Sequence, residues 1–197
     1  MTDSIARPIF RLPQAEKRAD GRFNVVVVYL DMTMPPPEQP NPAPLLDAKL
    51  ALLKLDRPST SFYRYLYSAV GRPWHWVERH RLSDIELAEI IQHKDVEIFV
   101  PYIGGVPAGY VELDAREAPV NELGAMNMAY FGLMPESIGR GLGPWLLRWA
   151  VQYAFSKGIP RLTVNTCNLD HPSALPLYQK VGFRPYQSRE AVFDPTI

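Results

Sequence analysis

Three shortages frame this chain: a single cysteine, no surplus of either charge, and no hydrophobic run long enough to cross a bilayer. Cys167 alone cannot close an intrachain disulfide, which suits a reducing compartment, so a cytoplasmic protein is expected. Lys plus Arg and Asp plus Glu are both 21, a formal net charge of +0, whereas a general nucleic-acid binder needs a basic surface. No nucleic-acid partner is expected. The longest apolar run, Val25 to Leu30, falls far short of the ~20 residues of a membrane helix, so no membrane partner is expected either. Asp3, Arg7, Arg11 and Glu16 leave the N-terminus without the apolar core of a signal peptide.

What is present is enough apolar material for one core: 47% of 197 residues are hydrophobic. We expect one domain over 1–197, with an N-terminal extension at 1–22. A proline-rich connector is expected at 35–44, where six prolines in ten positions force an extended, polyproline-like chain. Phe23 to Met32 is continuous and β-branched, which predicts a buried strand. Leu45 to Leu55 has helical character, ended by Pro58. Ser59 or Thr60 caps a helix that runs to about Gly71, and Ser83-Asp84-Ile85-Glu86 is a capping box opening a short helix. Val96–Ile103 and Val106–Leu113 flank Gly104-Gly105 and predict a hairpin. Asn121 to Leu133 reads as the next strand. Further on, Arg161–Cys167 reads as a strand, residues 172–181 as a helix, and 183–194 as one or two final strands.

The chain is organised around Phe131 to Leu147. Gly139, Gly141 and Gly143 alternate with Arg140 and Leu142 in a loop that can take up positive φ and present bare backbone N–H groups. Pro144 fits a first helical turn, and Leu147, Ala150, Val151, Ala154 and Phe155 recur on one helical face. A glycine loop feeding a helix N-terminus is an anion site, with a phosphate or pyrophosphate as the expected ligand. A Rossmann G-x-G-x-x-G fails, because the third glycine position holds Pro144 or Leu146, and no Gly-Lys-Ser/Thr follows for a Walker loop.

The pattern Pro-Glu-x-x-Gly-Arg-Gly-x-Gly-x-x-Leu-Leu over residues 135–147 resembles the acetyl-coenzyme A loop of the GNAT N-acetyltransferase superfamily. His171-Pro172-Ser173-Ala174-Leu175-Pro176-Leu177-Tyr178-Gln179-Lys180-Val181-Gly182-Phe183 is similar to the superfamily's Asn-x-x-Ala-x-x-x-Tyr-x-x-x-Gly-Phe segment. The resemblance covers roughly 96–184 on motifs, and 23–95 on element order alone. It implies an α/β (α+β) GNAT fold: a mixed, mostly antiparallel central sheet flanked by helices.

The resemblance further implies acetyl-coenzyme A as cosubstrate, no metal, and an amine as the second substrate. The coenzyme would contact Leu133, Ile138, Gly139, Arg140, Gly141, Leu142, Gly143, Pro144, His171, Ala174 and Tyr178, with Tyr178 as proton donor to the leaving thiolate. Three positions depart from the pattern. Ile138 replaces a Gln/Arg, His171 replaces the helix-opening Asn, and Asn127 stands where some branches carry a catalytic glutamate. Asn127 could orient water; Glu122 and Glu112 are the neighbouring carboxylates, so the choice between a carboxylate base and a water stays open. Tyr63, Tyr67, Trp74 and Trp76 fall in the segment expected to line the acceptor pocket. The expected activity is direct acetyl transfer to a primary amine in a ternary complex. The alternative is a coenzyme-binding sensor that kept the fold and lost turnover. Oligomeric state stays open, with a homodimer among the options.

Overall fold

The computed structural model of the protein describes residues 12–37, 40–116 and 124–197. In chain order its elements are β1 (Glu16–Lys17), β2 (Phe23–Met32), β3 (Leu50–Lys54), α1 (Thr60–Gly71), α2 (Asp84–Ile91), β4 (Val96–Ile103), β5 (Val106–Pro107), β6 (Gly109–Asp114), β7 (Met126–Leu133), α3 (Leu142–Ser156), β8 (Leu162–Cys167), α4 (Ala174–Val181) and β9 (Arg184–Phe193). Short 3₁₀ turns at Arg72–Trp74, Glu78–His80 and Pro135–Ser137 lie between them.

One mixed sheet runs in the order β1-β2-β8-β7-β6-β4-β3, with β9 paired to β2 and β5 to β4. Among the described residues every pair is antiparallel except β7 with β8. Those two run parallel and are in register only at Met126↔Leu162 and Asn127↔Thr163, after which they part. On its other side β7 carries a bulge: Glu112 faces Tyr130 and Leu113 faces Met128, leaving Ala129 without a cross-strand partner. The split and the bulge together open the sheet at its centre.

Strand alternation divides the buried side chains between two faces. Phe99, Val111, Leu113, Met128 and Val164 join Leu146, Leu147, Ala150 and Val151 under α3 and α4. Ile98, Val100 and Tyr110 join Tyr63, Leu66, Val70 and Leu87 under α1 and α2. Leu146 and Leu147 have no exposed surface, and each such burial stabilises by roughly 1.5–3 kcal/mol. The helix starts follow local chemistry. The Ser59 hydroxyl accepts from Phe62 N–H, and Ser83 and Glu86 complete the reciprocal capping box.

Two sequence expectations need correction. Leu45–Leu55 supplies no helix. Leu50–Lys54 is instead an edge strand whose partners run from Ile103 to Phe99, so hydrogen bonds offered by β4 override the helical propensity of Leu and Ala. The stretch Val106–Leu113 is two strands, interrupted at Ala108, whose N–H bonds the Pro101 carbonyl at 2.8 Å. The start of the strand expected from Asn121 lies outside the described residues.

From residue 40 onward the proline-rich stretch and the residues after it form a strap along α3, running opposite to the helix. Asn41 donates to the Trp145 carbonyl at 3.0 Å and accepts from Arg148 Nε at 3.1 Å. Asp47 then pairs with Arg140 at 2.6 Å, two residues before the helix begins. The strap is how the chain crosses from β2, beside β8, to β3 at the far edge of the sheet.

Candidate active site

The glycine loop is built as a phosphate cradle would be. Gly139 and Gly141 hold φ of 82° and 78°, a left-handed conformation that costs other L-residues about 1–2 kcal/mol. Gly141 is the N-cap of α3, where no side chain caps the helix and no acidic residue sits in the first turn. The first-turn N–H groups are therefore left for a ligand, together with the positive end of the helix dipole.

A cavity of about 710 Å³ begins at this loop and passes between the parted β7 and β8. Of the residues expected to meet a coenzyme, Leu133, Ile138, Gly139, Gly141, Gly143, Pro144, His171, Ala174 and Tyr178 line it. Arg140 and Leu142 do not: Arg140 is engaged by Asp47, and Leu142 is buried in the core beneath the loop.

Tyr178 is 5% exposed, set edge-on to Phe131 and Phe183 at 6.1 Å and 5.9 Å. No described residue hydrogen-bonds its hydroxyl, and Tyr178 is among the residues that line the cavity. Burial, reinforced by the negative charge of Asp170, drives its pKa well above that of free tyrosine, so the phenol holds its proton. His171 accepts from Ser173 N–H through Nδ1 at 3.1 Å and packs edge-on to Trp74 at 5.1 Å.

The far end of the cavity is aromatic and acidic. Trp74 and Trp76 line it, as expected. Trp76 fits there because Gly71 clears the way, since a Cβ on it would lie 2.4 Å from the indole ring; a Cβ on Gly132 would come within 3.4 Å of the same ring. Tyr63 and Tyr67, expected in the same pocket, are fully buried in the core and do not reach the cavity.

What those tyrosines hold was invisible to the sequence. Tyr63 donates to Glu112, and Arg79 pairs with the same carboxylate at 2.6 Å. Glu112 has no exposed surface; burial raises its pKa, while Arg79 and Tyr63 pull it back. Tyr67 donates to Glu78 Oε2 at 2.9 Å and accepts from Arg79 N–H at 3.3 Å. The buried pair thus pins the 3₁₀ turn Glu78–His80 against the sheet and sets Glu78 at the cavity.

The candidates for the proton acceptor separate accordingly. Asn127 sits where β7 and β8 still pair, accepts from Thr163 Oγ1 at 3.1 Å, and does not line the cavity. Glu112 is enclosed in its ion pair. Glu122 lies outside the described residues. Sequence reasoning passed over two carboxylates that do line the cavity, Glu78 and Asp170. The available signals were their positions: Glu78 two places after Trp76, and Asp170 directly before the motif histidine.

Comparison with known proteins agrees with this architecture. The family described as Acetyltransferase (GNAT) family matches residues 58–183. An aminoglycoside acetyltransferase, meta-AAC0020, from an uncultured soil metagenomic sample is similar in structure, with a TM-score of 0.56 at 15% identity over 68% of this chain and 87% of that one. A GCN5-related N-acetyltransferase from Sphaerobacter thermophilus matches with a TM-score of 0.56 at 16% identity, over 91% of this chain and 52% of that one. Aminoglycoside N-acetyltransferase AAC(6')-Iy, solved in complex with CoA, matches with a TM-score of 0.51 at 19% identity, over 76% and 97%. No curated protein sequence matches the chain. No helix among the described residues is long and apolar enough to cross a membrane.

Proposed function

Because the chain belongs to the GNAT family of acetyltransferases, we propose that it moves an acetyl group from acetyl-coenzyme A to a primary amine, directly, in a ternary complex. The observation that carries this reading is the continuity of one cavity from the uncapped N-terminus of α3 to the buried Tyr178 hydroxyl. The residues present fit the cosubstrate. Gly139, Gly141 and Gly143 leave room and N–H groups for a diphosphate, and the parted strands leave room for the arm that carries the thioester.

Each group in the wall then has a task. First-turn N–H groups of α3 hold the diphosphate. Backbone groups of β7, freed where β8 leaves it, orient the arm. The amine nitrogen attacks the thioester carbonyl carbon; the C–N bond forms, the C–S bond breaks, and the nitrogen gives up a proton to water in the cavity. Tyr178 supplies the proton that turns the departing thiolate into a thiol, and recovers one from solvent. Burial keeps Tyr178 in the protonated form, the one that can donate a hydrogen bond to the developing thiolate.

Mass spectrometry with ¹³C-acetyl-coenzyme A and a panel of primary amines tests this. Labelled acetyl-amine appearing in step with free coenzyme A thiol is the expected result. Tight coenzyme binding with no labelled product from any amine would replace the enzyme with a coenzyme sensor.

A further inference from the structure

We propose that the acceptor end of the cavity is a subsite for an amine carrying a second positive charge, held between Glu78 and Asp170. This rests on the acetyl-transfer reading and adds the acceptor's chemical class.

The two carboxylates come from different elements. Glu78 opens the second 3₁₀ turn after α1, and Asp170 lies within the loop between β8 and α4. Trp76 stands beside both: its indole N–H reaches Asp170 Oδ1 at 3.4 Å, and Trp76 is two residues from Glu78. Asp170 is fixed further by the Thr166 hydroxyl at 2.7 Å and Cys167 N–H at 3.0 Å. Glu78 Oε2 is held by Tyr67 and Val77 N–H, while no described residue donates to its Oε1. Both charges are therefore positioned by neutral donors, and neither is paired with a described Lys or Arg.

The remainder of the wall repeats that bias. No Lys or Arg lines the cavity among the described residues, while Trp74, Trp76, Tyr130, Phe131 and Phe193 do. Aromatic faces and carboxylates favour cations and penalise anions. Tyr178, 5% exposed and with no described hydrogen-bond partner for its hydroxyl, lines the same cavity. A single ammonium offsets one carboxylate and loses its charge on acetylation. The other carboxylate would then stay uncompensated inside a wall of aromatic rings, which a second cationic group on the acceptor relieves.

Three amines of matched length separate the outcomes: 1,4-diaminobutane, 1-aminobutane and 4-aminobutanoate, with thiol release as the readout. The expected order of kcat/KM is diamine, monoamine, amino acid, with about tenfold or more between the first two, since a charge-assisted hydrogen bond is typically worth that factor. Glu78→Gln and Asp170→Asn should each shrink the diamine preference toward one, whereas Glu89→Gln, an exposed charge on α2, should leave it intact. Equal rates for diamine and monoamine, or a preference unchanged in both variants, would overturn the proposal. Calorimetry of 1,4-diaminobutane with the coenzyme A-saturated protein covers the case of no turnover. Binding that Asp170→Asn abolishes would uphold the subsite while removing the enzymatic reading. The absence of both binding and turnover would overturn the subsite.

Discussion

Glu112→Gln is the sharpest test of how the acceptor end is built. The substitution keeps the side-chain size and a hydrogen-bond acceptor for Tyr63, but removes the charge opposite Arg79. Glu112 has no exposed surface and the Arg79 side chain only 11%, so water cannot take the place of the lost carboxylate. Among the described residues Arg79 Nε already has no hydrogen-bond partner, and neither has the nearby Tyr110 hydroxyl. Breaking a buried pair from one side typically costs about 3–5 kcal/mol, and the retained Tyr63 contact argues for the lower end. For a chain of this size that is a fall in Tm of roughly 6–12 °C. Replacing both partners, Glu112→Leu with Arg79→Met, should recover most of the loss, because no charge is then stranded. Urea denaturation followed by fluorescence reads both variants. A Glu112→Gln protein within about 1 kcal/mol of wild type would refute the structural role argued for the pair. If activity collapsed at unchanged stability, Glu112 would act in the chemistry instead.

Other consequences follow from the same geometry. Acetyl-coenzyme A should raise the Tm of the wild type. Gly141→Asp should abolish that rise, by placing a side chain and a negative charge at the α3 N-terminus where φ is 78°; an undiminished rise in the mutant would move the site elsewhere. Asp47→Ala should free Arg140 and raise coenzyme affinity by up to about tenfold at low salt, an effect that fades as salt increases; calorimetry at two ionic strengths checks it, and a loss of affinity would show the strap contact to be supportive. Cys167, whose pKa burial pushes up to about 11, should react with iodoacetamide at neutral pH roughly a hundredfold more slowly than an ordinary thiol. Its rate should climb about tenfold per pH unit toward that value, because the thiolate is the reacting form.

The sequence made some parts of this molecule legible and concealed others, for identifiable reasons. The glycine loop, the capping box at Ser83 and the β-branched run of β2 are local signals, and each produced its element within a residue or two. The stretch before Pro58 misled, because Leu and Ala favour helix locally while the free edge of β4 decides the outcome. The aromatic cluster after Ser59 was read as one group. The structure separates it by burial: Tyr63 and Tyr67 go under the sheet, Trp74 and Trp76 to the cavity. Tyr63 and Tyr67 share the buried i, i+4 face of α1 with Leu66 and Val70, whereas Trp74 and Trp76 lie past the end of the helix. Glu78 and Asp170 were passed over because each resembles an ordinary surface charge until two distant loops are brought to one wall.

In the proposed reaction Tyr178 serves the leaving thiolate at the end of a cavity whose other end takes coenzyme A. Tyr178→Phe removes one oxygen and leaves the contacts with Phe131 and Phe183 in place. The measurement is kcat with the best acceptor amine, alongside the acetyl-coenzyme A dissociation constant, for both proteins. The account predicts a kcat lower by about a hundredfold, the low end for a lost general acid because a thiolate leaves tolerably unaided, with the dissociation constant nearly unchanged. A mutant with wild-type kcat would contradict it.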